Sequence, residues 1–423
     1  MHNLGCRVNR VETDSIAASL ISAGACPGAL NEADLVVVNT CTVTAEAASK
    51  ARKAVHQALC KAPKATVIAT GCAASMDPGS FLNMDKRVIV EADKSRMPVL
   101  AASILGLDGS ANPDAAYFSR AGGSFMDRAG IKIQDGCANA CTYCIIHVAR
   151  GPVWSKPFDE AVNEVRAAWC NGVGEVVLVG INLGSYQGGC SLVELLAKLL
   201  SVARELDGDD DSIRHRLRLS SIEPLDVTEG LIELMARSQG RLCRHLHLSL
   251  QSGSDKVLSE MGRPYSAEEF LTLVGHLHRA VPRISLSTDV IAGFPGETGE
   301  DFLKTVHVCE ETGFSRLHVF RYSRRDGTPA AARSDQVPSS VASERARLLR
   351  TLSMNLAMED AVKREGLRER VCVEGDGCTS ESFHAARFDH PVKREPGELV
   401  DVRVTGTDGA CLLVHEDESG VGL

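Results

Sequence analysis

The spacing of apolar and polar positions divides this chain into three stretches. In the first, up to about residue 105, β-branched apolar runs alternate with helical periodicity. Leu35 to Val38 (LVVV) and Ala65 to Ala69 (ATVIA) read as strands. Ala45 to Leu59 between them is alanine-rich and reads as a helix, and a further helix from about Thr13 to Ser22 precedes the first strand. Strand and helix in alternation predict a small unit built on a parallel sheet. Residues 106–124, rich in Gly, Ser, Ala and Asp, read as a linker.

The second stretch, 125–355, repeats the alternation at greater length. Candidate strands are Ile131–Gln134, Glu175–Val179, Arg216–Ser220, His245–Leu250, Ile284–Ile291 and Leu317–Phe320. Helical patterns separate them at Phe158–Trp169, Ser191–Glu205, Thr228–Ser238, Ala267–Arg279 and Glu300–Thr312. These repeated βα units predict a partial (β/α)6 barrel, with its chemistry at the carboxyl ends of the strands. After a helix from about Ala342 to Glu365 the period shortens. Within 366–423, the runs Val371–Glu374, Ala385–Phe388, Leu399–Val404 and Ala410–Val414 are short strands broken by Gly, Pro and Asp. They predict a small all-β barrel, the size of many nucleic-acid-binding β modules. The fold class expected is therefore α/β: a parallel-sheet domain, a partial barrel and a β module.

Composition narrows the functional classes. No run approaches 18 apolar residues, so no membrane span is expected, and MHNLGCRVNR lacks the apolar core of a signal peptide. Both point to the cytoplasm, where the 15 cysteines are reduced and serve as metal ligands or small core residues. The net charge of −9 argues mildly against a nucleic-acid partner, yet the charge is uneven. Between Arg316 and Arg350 stand eight arginines (316, 321, 324, 325, 333, 345, 347, 350) against Asp326, Asp335 and Glu344, a local balance of 8 − 3 = +5. Such a stretch tracks a phosphate backbone or is an ordinary solvated face; on sequence the two readings are even.

Cys137, Cys141 and Cys144 form a CxxxCxxC loop directly after the expected strand Ile131–Gln134. Three thiolates on one short loop suit three irons of a cubane and leave the fourth open to a small molecule. In radical chemistry that molecule is S-adenosylmethionine (SAM), whose reductive cleavage yields a 5′-deoxyadenosyl radical. A zinc site with His147 as fourth ligand is the competing reading, less favoured because zinc sites usually pair two CxxC elements. Cys6, Cys41 and Cys72 form a second set, spaced 35 and 31 residues apart, about one βα repeat. Cys41 and Cys72 each follow a strand of what should be one parallel sheet, so they converge at its edge. Cys6 joins them if a short strand precedes it. A second cluster is favoured over three structural cysteines. Among the other nine, Cys60, Cys170 and Cys309 lie in or at the ends of helices and read as core residues. Cys372 and Cys378 make a poor metal site on their own.

Together these motifs resemble the methylthiotransferases, radical SAM enzymes that convert C–H into C–S–CH3. The matching runs, in the family's order, are LGCRVNRVETD (4–14), VVNTCTVT (37–44), ATGCAAS (69–75), KIQDGCANACTYCIIHVARG (132–151), LVGINLGSY (178–186), LSSIEP (219–224), HLSLQSGSDKVLSEMGRPY (247–265) and DVIAGFPGET (289–298). Gly5-Cys6-Arg7-Val8-Asn9 resembles the branch acting on N6-threonylcarbamoyladenosine beside the tRNA anticodon. The isopentenyladenosine branch tends to GCQMN, and the ribosomal-protein branch to GCPKN.

The resemblance implies two [4Fe-4S] clusters and SAM as cofactors, with Cys6, Cys41 and Cys72 holding the auxiliary cluster and Cys137, Cys141 and Cys144 the radical one. It also implies a C-terminal TRAM barrel, the tRNA anticodon arm as substrate, and an electron donor such as flavodoxin or ferredoxin. By motif position Tyr143, Gly180, Ser221, Glu223 and Gln251 are candidates for the SAM pocket. Against them, Gly180 and Ser221 answer to strand-end geometry, and Glu223 to a turn cap. Three features depart from the family pattern. His147 stands where proline is usual, little chain precedes Cys6, and 363–403 carries eight basic against nine acidic residues. The rival functions are methylthiolation of isopentenyladenosine tRNA or of a ribosomal-protein side chain, and a non-catalytic zinc-holding RNA-binding adaptor.

Overall fold

The computed structural model describes residues 1–107, 127–208, 212–375 and 377–417. Beyond Leu107 the expected linker lies outside the described residues. The chain forms two compact units: residues 1–122, 135–153 and 323–331 in one, and 123–134, 154–322 and 332–423 in the other.

The first unit is built on a parallel sheet in the order His2–Asn3, Leu35–Thr40, Thr66–Gly71, Val88–Val90. Alternate strand residues feed opposite faces, and both faces are apolar, as a parallel sheet covered on two sides requires. Val36, Val38, Val67 and Ala69 pack on Ala51, Val55 and Ala58 of the helix Ala45–Lys61. Val37 and Ile68 pack on Ile16 and Leu20 of the helix Arg7–Ser22 and on Met97 and Ala101 of Met97–Ile104. Thr44 caps Ala45–Lys61 by accepting from Ala47 N at 3.0 Å. The first helix begins at Arg7, six residues before the expected Thr13, because the apolar face of VNRVETDSIAASL extends back to a buried Val8.

In the second unit the strands Arg128–Lys132, Glu175–Val179 and Arg216–Leu219 form one parallel sheet. Ser221–Ile222, His245–Leu248, Ser285–Ala292 and Arg316–Arg321 form another. The expected strand Arg216–Ser220 thus ends at Leu219, and the chain resumes pairing on the next sheet at Ser221. Ser220 at this break still donates its backbone N–H to Leu178 O at 3.0 Å, and its Oγ accepts from Gly180 N at 3.3 Å. Sequential parallel order with helices between is the partial barrel expected. Its helices are punctuated locally. Ser191 with Glu194, Ser266 with Glu269, and Thr298 with Asp301 each form a reciprocal capping box, each stabilising by about 1 kcal/mol.

The C-terminal segment is a closed five-stranded barrel in the order Arg368–Glu374, Gly377–Ser380, Ala385–Phe388, Cys411–Glu416, Leu399–Asp408. Val371, Val400, Val402, Leu412 and Val414 fill it. The sequence reading missed Gly377–Ser380, a four-residue strand of GCTS whose backbone pairing with Val371–Glu374 creates it. This barrel sits against the amino ends of the parallel strands through a buried charge cluster. Glu175 accepts from Arg216 Nε and from Arg218 Nε, both at 2.7 Å. Arg216 also donates to the carbonyls of Arg370 (2.7 Å) and Thr379 (3.1 Å), and Arg218 to those of Ser380 (2.8 Å) and Glu381 (3.1 Å). All three side chains have 0% exposure, so the strand reading RLRL conceals two arginines that face protein on every side.

Candidate functional site

Within the first unit the strand ends bring Cys6, Cys41 and Cys72 to one sheet edge. Thr40 is paired with Gly71, so the residues that follow, Cys41 and Cys72, leave the sheet side by side. Cys72 opens the short helix Cys72–Met76, and Cys6 is the N-cap of Arg7–Ser22. The two-residue strand His2–Asn3 pairs with Val38 and Asn39, and Leu4 N then donates to Asn39 O at 3.0 Å, which carries Cys6 to Cys41. Gly5 makes the approach possible. Its φ is +115°, and a Cβ there would lie 2.7 Å from Cys41 Cβ and 2.8 Å from Cys41 Sγ. Gly71 has the same duty, since its Cβ would fall 2.3 Å from Asn39 Oδ1. Burial pushes the Cys41 thiol up; the thiols of Cys6 and Cys72 push the same way, while the Val43 amide and Arg150 oppose them.

The CxxxCxxC loop belongs to the same unit. Asn139 N donates to Cys137 Sγ and Ile146 N to Cys144 Sγ, each at 3.4 Å, and Cys144 N donates to Cys141 O at 3.0 Å. Amides aimed at sulfur favour the thiolate and raise the potential of whatever it binds. Gly136 (φ +72°) starts the loop; a Cβ there would lie 2.1 Å from Pro152 O, so the entering and leaving chains touch. The helix Cys72–Met76 packs on Ile146–Arg150, and residues 323–331 are stitched to both cysteine loops. Ser323 Oγ accepts from Ala45 N at 2.9 Å, Arg325 donates to Thr42 Oγ1, and Ala330 N donates to Thr142 O at 2.9 Å.

The donor set fits iron–sulfur ligation at both triads. In this unit Asp14 Oδ1, Asn39 Oδ1, Thr70 Oγ1, His147 Nδ1, Arg150 Nε and Arg325 Nε are buried without a hydrogen-bond partner among the described residues, as are Trp169 Nε1 and Thr312 Oγ1 of the second unit. The orphaned atoms of Asn39, Thr70 and His147, close in the chain to Cys41, Cys72 and Cys144, leave polar capacity that a further group can use.

Tyr143 lies in the cysteine loop of the first unit; the other SAM candidates belong to the second. Gly180 follows the strand Glu175–Val179, and a Cβ there would meet Gln134 Oε1 at 2.9 Å. Ser221 opens the strand Ser221–Ile222, and Glu223 follows it. Gln251 is bridged to Val290 and holds φ at +65°, a conformation a non-glycine residue adopts only where its surroundings impose it. Gly180, Ser221, Glu223 and Gln251 thus all stand at or just past the carboxyl ends of parallel strands. Burial raises the Glu223 carboxyl, and Arg263, which donates to it, pulls the other way. Sequence reasoning passed over Arg263 and Gln134. Both lie in quoted runs, Arg263 in MGRPY and Gln134 in KIQDG, where it accepts from Asn182 N at 2.8 Å.

Two expectations need correction. Cys60 and Cys170 are exposed rather than core, since both fall on outward helix turns, whereas Cys309 is fully buried. The arginine-rich stretch is largely consumed by internal partners: Arg333 by Glu260 and Asp335, Arg345 by Glu297, Arg347 by Glu344, Arg325 by Thr42, and Arg321 by Ser343.

The comparisons with known proteins agree with this arrangement. The radical SAM superfamily matches residues 131–309, and a family described as uncharacterized protein family UPF0004 matches residues 1–91. A threonylcarbamoyladenosine tRNA methylthiotransferase of Thermotoga maritima is 35% identical over 382 residues, covering 88% of this chain and 86% of that protein. Its Bacillus subtilis counterpart is 38% identical over 376 residues, covering 86% and 82%. A tRNA-2-methylthio-N(6)-dimethylallyladenosine synthase of Streptomyces coelicolor is 32% identical over 451 residues, covering 98% and 88%. Among solved structures, the radical SAM methyltransferase TsrM of Kitasatospora setae, with cobalamin and a [4Fe-4S] cluster bound, superposes with a TM-score of 0.54 at 19% identity over 75% of this chain and 68% of that one. One set of three cysteines on a single loop and another set on three strand-end segments of the same compact unit, together with this similarity along almost the whole chain, place it in the radical SAM methylthiotransferase family.

Proposed function

We propose that this chain inserts a methylthio group at C2 of N6-threonylcarbamoyladenosine, 3′ of the tRNA anticodon. What carries the reading is the second triad: a radical enzyme that only abstracts hydrogen needs Cys137, Cys141 and Cys144, and Cys6, Cys41 and Cys72 would then have no task. The higher identity to threonylcarbamoyladenosine enzymes than to the dimethylallyladenosine synthase supports the choice of base.

Cys137, Cys141 and Cys144 would hold one [4Fe-4S] cluster, and Cys6, Cys41 and Cys72 the other. Those clusters and two molecules of SAM would supply the electron, the 5′-deoxyadenosyl radical, the methyl group and, on the open iron of the N-terminal cluster, a seat for the sulfur. The chain's own work is placement. The amides of Asn139 and Ile146 stabilise thiolates, and Gly5 and Gly71 let three cysteines meet at one edge. Gly180, Ser221, Glu223, Gln251 and, from the cysteine loop, Tyr143 would bind SAM. Arg263 keeps Glu223 from being left as an isolated buried carboxyl. Residues 366–423 would grip the RNA, and a flavodoxin or ferredoxin would supply electrons. Among the described residues no helix is long and apolar enough to cross a membrane, and we place the reaction in the cytoplasm. The test is nucleoside analysis of tRNA from cells with and without the gene. Disappearance of 2-methylthio-N6-threonylcarbamoyladenosine is the expected result. Loss of only the isopentenyl derivative would move the chain to the other branch, and unchanged tRNA would refute the reading.

A further inference from the structure

One side chain joins the two cysteine triads. Arg150 Nη1 donates to Glu12 Oε1 at 3.0 Å and to both Asp135 oxygens at 2.9 and 3.0 Å, and its Nη2 donates to Asn9 Oδ1. Each partner leads to a cysteine. Asn9 Oδ1 is also 3.9 Å from Cys6 Sγ, and Asn9 Nδ2 donates to Leu4 O (2.8 Å) and Thr40 O (3.0 Å), the carbonyls that flank Gly5–Cys6 and precede Cys41. Asp135 stands two residues before Cys137 and accepts from Gly136 N at 2.8 Å. Glu12 is held in turn by Lys94. Only 3% of the Arg150 side chain is exposed, and its Nε is buried without a hydrogen-bond partner among the described residues. Neutralising Glu12 would need one contact. This guanidinium spends its fork on three side chains from both sides of the site.

We propose that Arg150 is a positioning residue for methylthio transfer: it locks the Cys6/Cys41/Cys72 edge and the Cys137–Cys144 loop into one frame and places a buried positive charge beside the N-terminal triad. This rests on the reading that both triads hold clusters. Group transfer between two centres tolerates little misplacement, about 1 Å costing on the order of a hundredfold in rate. A planar fork bonded to Asn9, Glu12 and Asp135 fixes angles as well as distances, which a lysine cannot do. The charge has a separate consequence. A buried cation favours the more negative, reduced form of a group held by three thiolates, so removing it lowers that group's reduction potential. Burial works against a charged Arg150, but Glu12, Cys72, Asp135 and Cys6 more than offset this and keep it protonated.

The experiment uses the full chain with reconstituted clusters and three variants: R150Q, R150K and E12Q/R150Q. The double variant removes the buried acid together with its partner, so that a folding defect in R150Q does not decide the matter. The potential of the N-terminal cluster is measured by EPR-monitored titration in a C137A/C141A/C144A background, where it is the remaining cluster. Coupling is measured in the otherwise intact enzyme as methylthiolated adenosine formed per 5′-deoxyadenosine. In R150Q the potential should fall; in the double variant, which removes one charge of each sign, it should change less; and in both, coupling should drop on the order of a hundredfold. In R150K the potential should return toward wild type while coupling stays low. Wild-type potential and coupling in a folded R150Q, or wild-type coupling in a folded E12Q/R150Q, would overturn the proposal, as would recovery of both by R150K. Wild-type protein with about four irons instead of about eight would sink the two-cluster reading itself.

Discussion

Glu175→Gln isolates the interaction that seats the C-terminal barrel. Glu175 accepts from both Arg216 and Arg218, has Arg128 at 3.5 Å, and is, like the two it bonds, fully buried. Gln keeps the shape and one acceptor oxygen but removes the charge, so two guanidiniums become buried without a counter-ion. Removing one member of such a cluster costs about 3–5 kcal/mol. At roughly 2–4 °C per kcal/mol for a unit of this size, the transition should fall by about 6–20 °C. The assay is calorimetry of anaerobic, cluster-loaded protein, with hydrogen exchange of residues 368–416 read alongside. Exchange in that barrel should rise while the iron content stays at the wild-type value, because neither cysteine triad belongs to this unit. pH gives a second reading. Burial opposes ionisation of Glu175, yet Arg218 and Arg216 outweigh it and hold the carboxyl well below its ordinary value of 4.5. A depressed folded pKa stabilises above the unfolded pKa and ceases to do so as pH falls through the folded one. The wild-type advantage over E175Q should therefore be full above about pH 4.5 and shrink only in stronger acid. A transition within 2 °C of wild type (roughly 1 kcal/mol or less) would show that the cluster is not what holds the barrel in place.

Four further outcomes follow from the two triads and the arginines. Cys141→Ala should abolish reductive SAM cleavage, and 5′-deoxyadenosine persisting in that variant would remove Cys141 from the radical site. Cys41→Ala should keep SAM cleavage, lose methylthio insertion and drop from about eight irons to about four; full iron with product formed would exclude Cys41 as a ligand. Gly5→Ala should do the same, because its Cβ would overlap Cys41 at 2.7 Å and φ of +115° suits only glycine; normal iron content would refute the crowding argument. For tRNA contact, Arg324→Glu is cleaner than any change at Arg325, which is bonded to Thr42 beside Cys41. It should weaken tRNA binding and flatten its salt dependence, and equal slopes for variant and wild type would make Arg324 an ordinary solvated residue.

Much of this protein is written locally. LVVVNT and TVIATG become strands because β-branched runs with no polar interruption suit a sheet buried on both faces, and each ends where a cysteine begins. CANACTYC is legible because its chemistry sits in eight consecutive residues. Read with the spacing of Cys6, Cys41 and Cys72, those features determined the fold class and the six thiols. The rest depended on partners distant in the chain. Nothing in RLRL distinguishes arginines facing solvent from Arg216 and Arg218, whose counter-ion is some 40 residues upstream and whose acceptor carbonyls lie past residue 369. Cys60 and Cys170 share helical context with Cys309, and only packing decides which of them is covered. The arginine-rich stretch looked like a free basic face because charge counting ignores Glu260 and Glu297. Arg150 reads as one more residue of a motif, yet its partners Asn9 and Glu12 are more than 130 residues away. Periodicity and motif spacing are properties of neighbours in the chain; burial and charge pairing are properties of neighbours in space, and only the folded structure decides them.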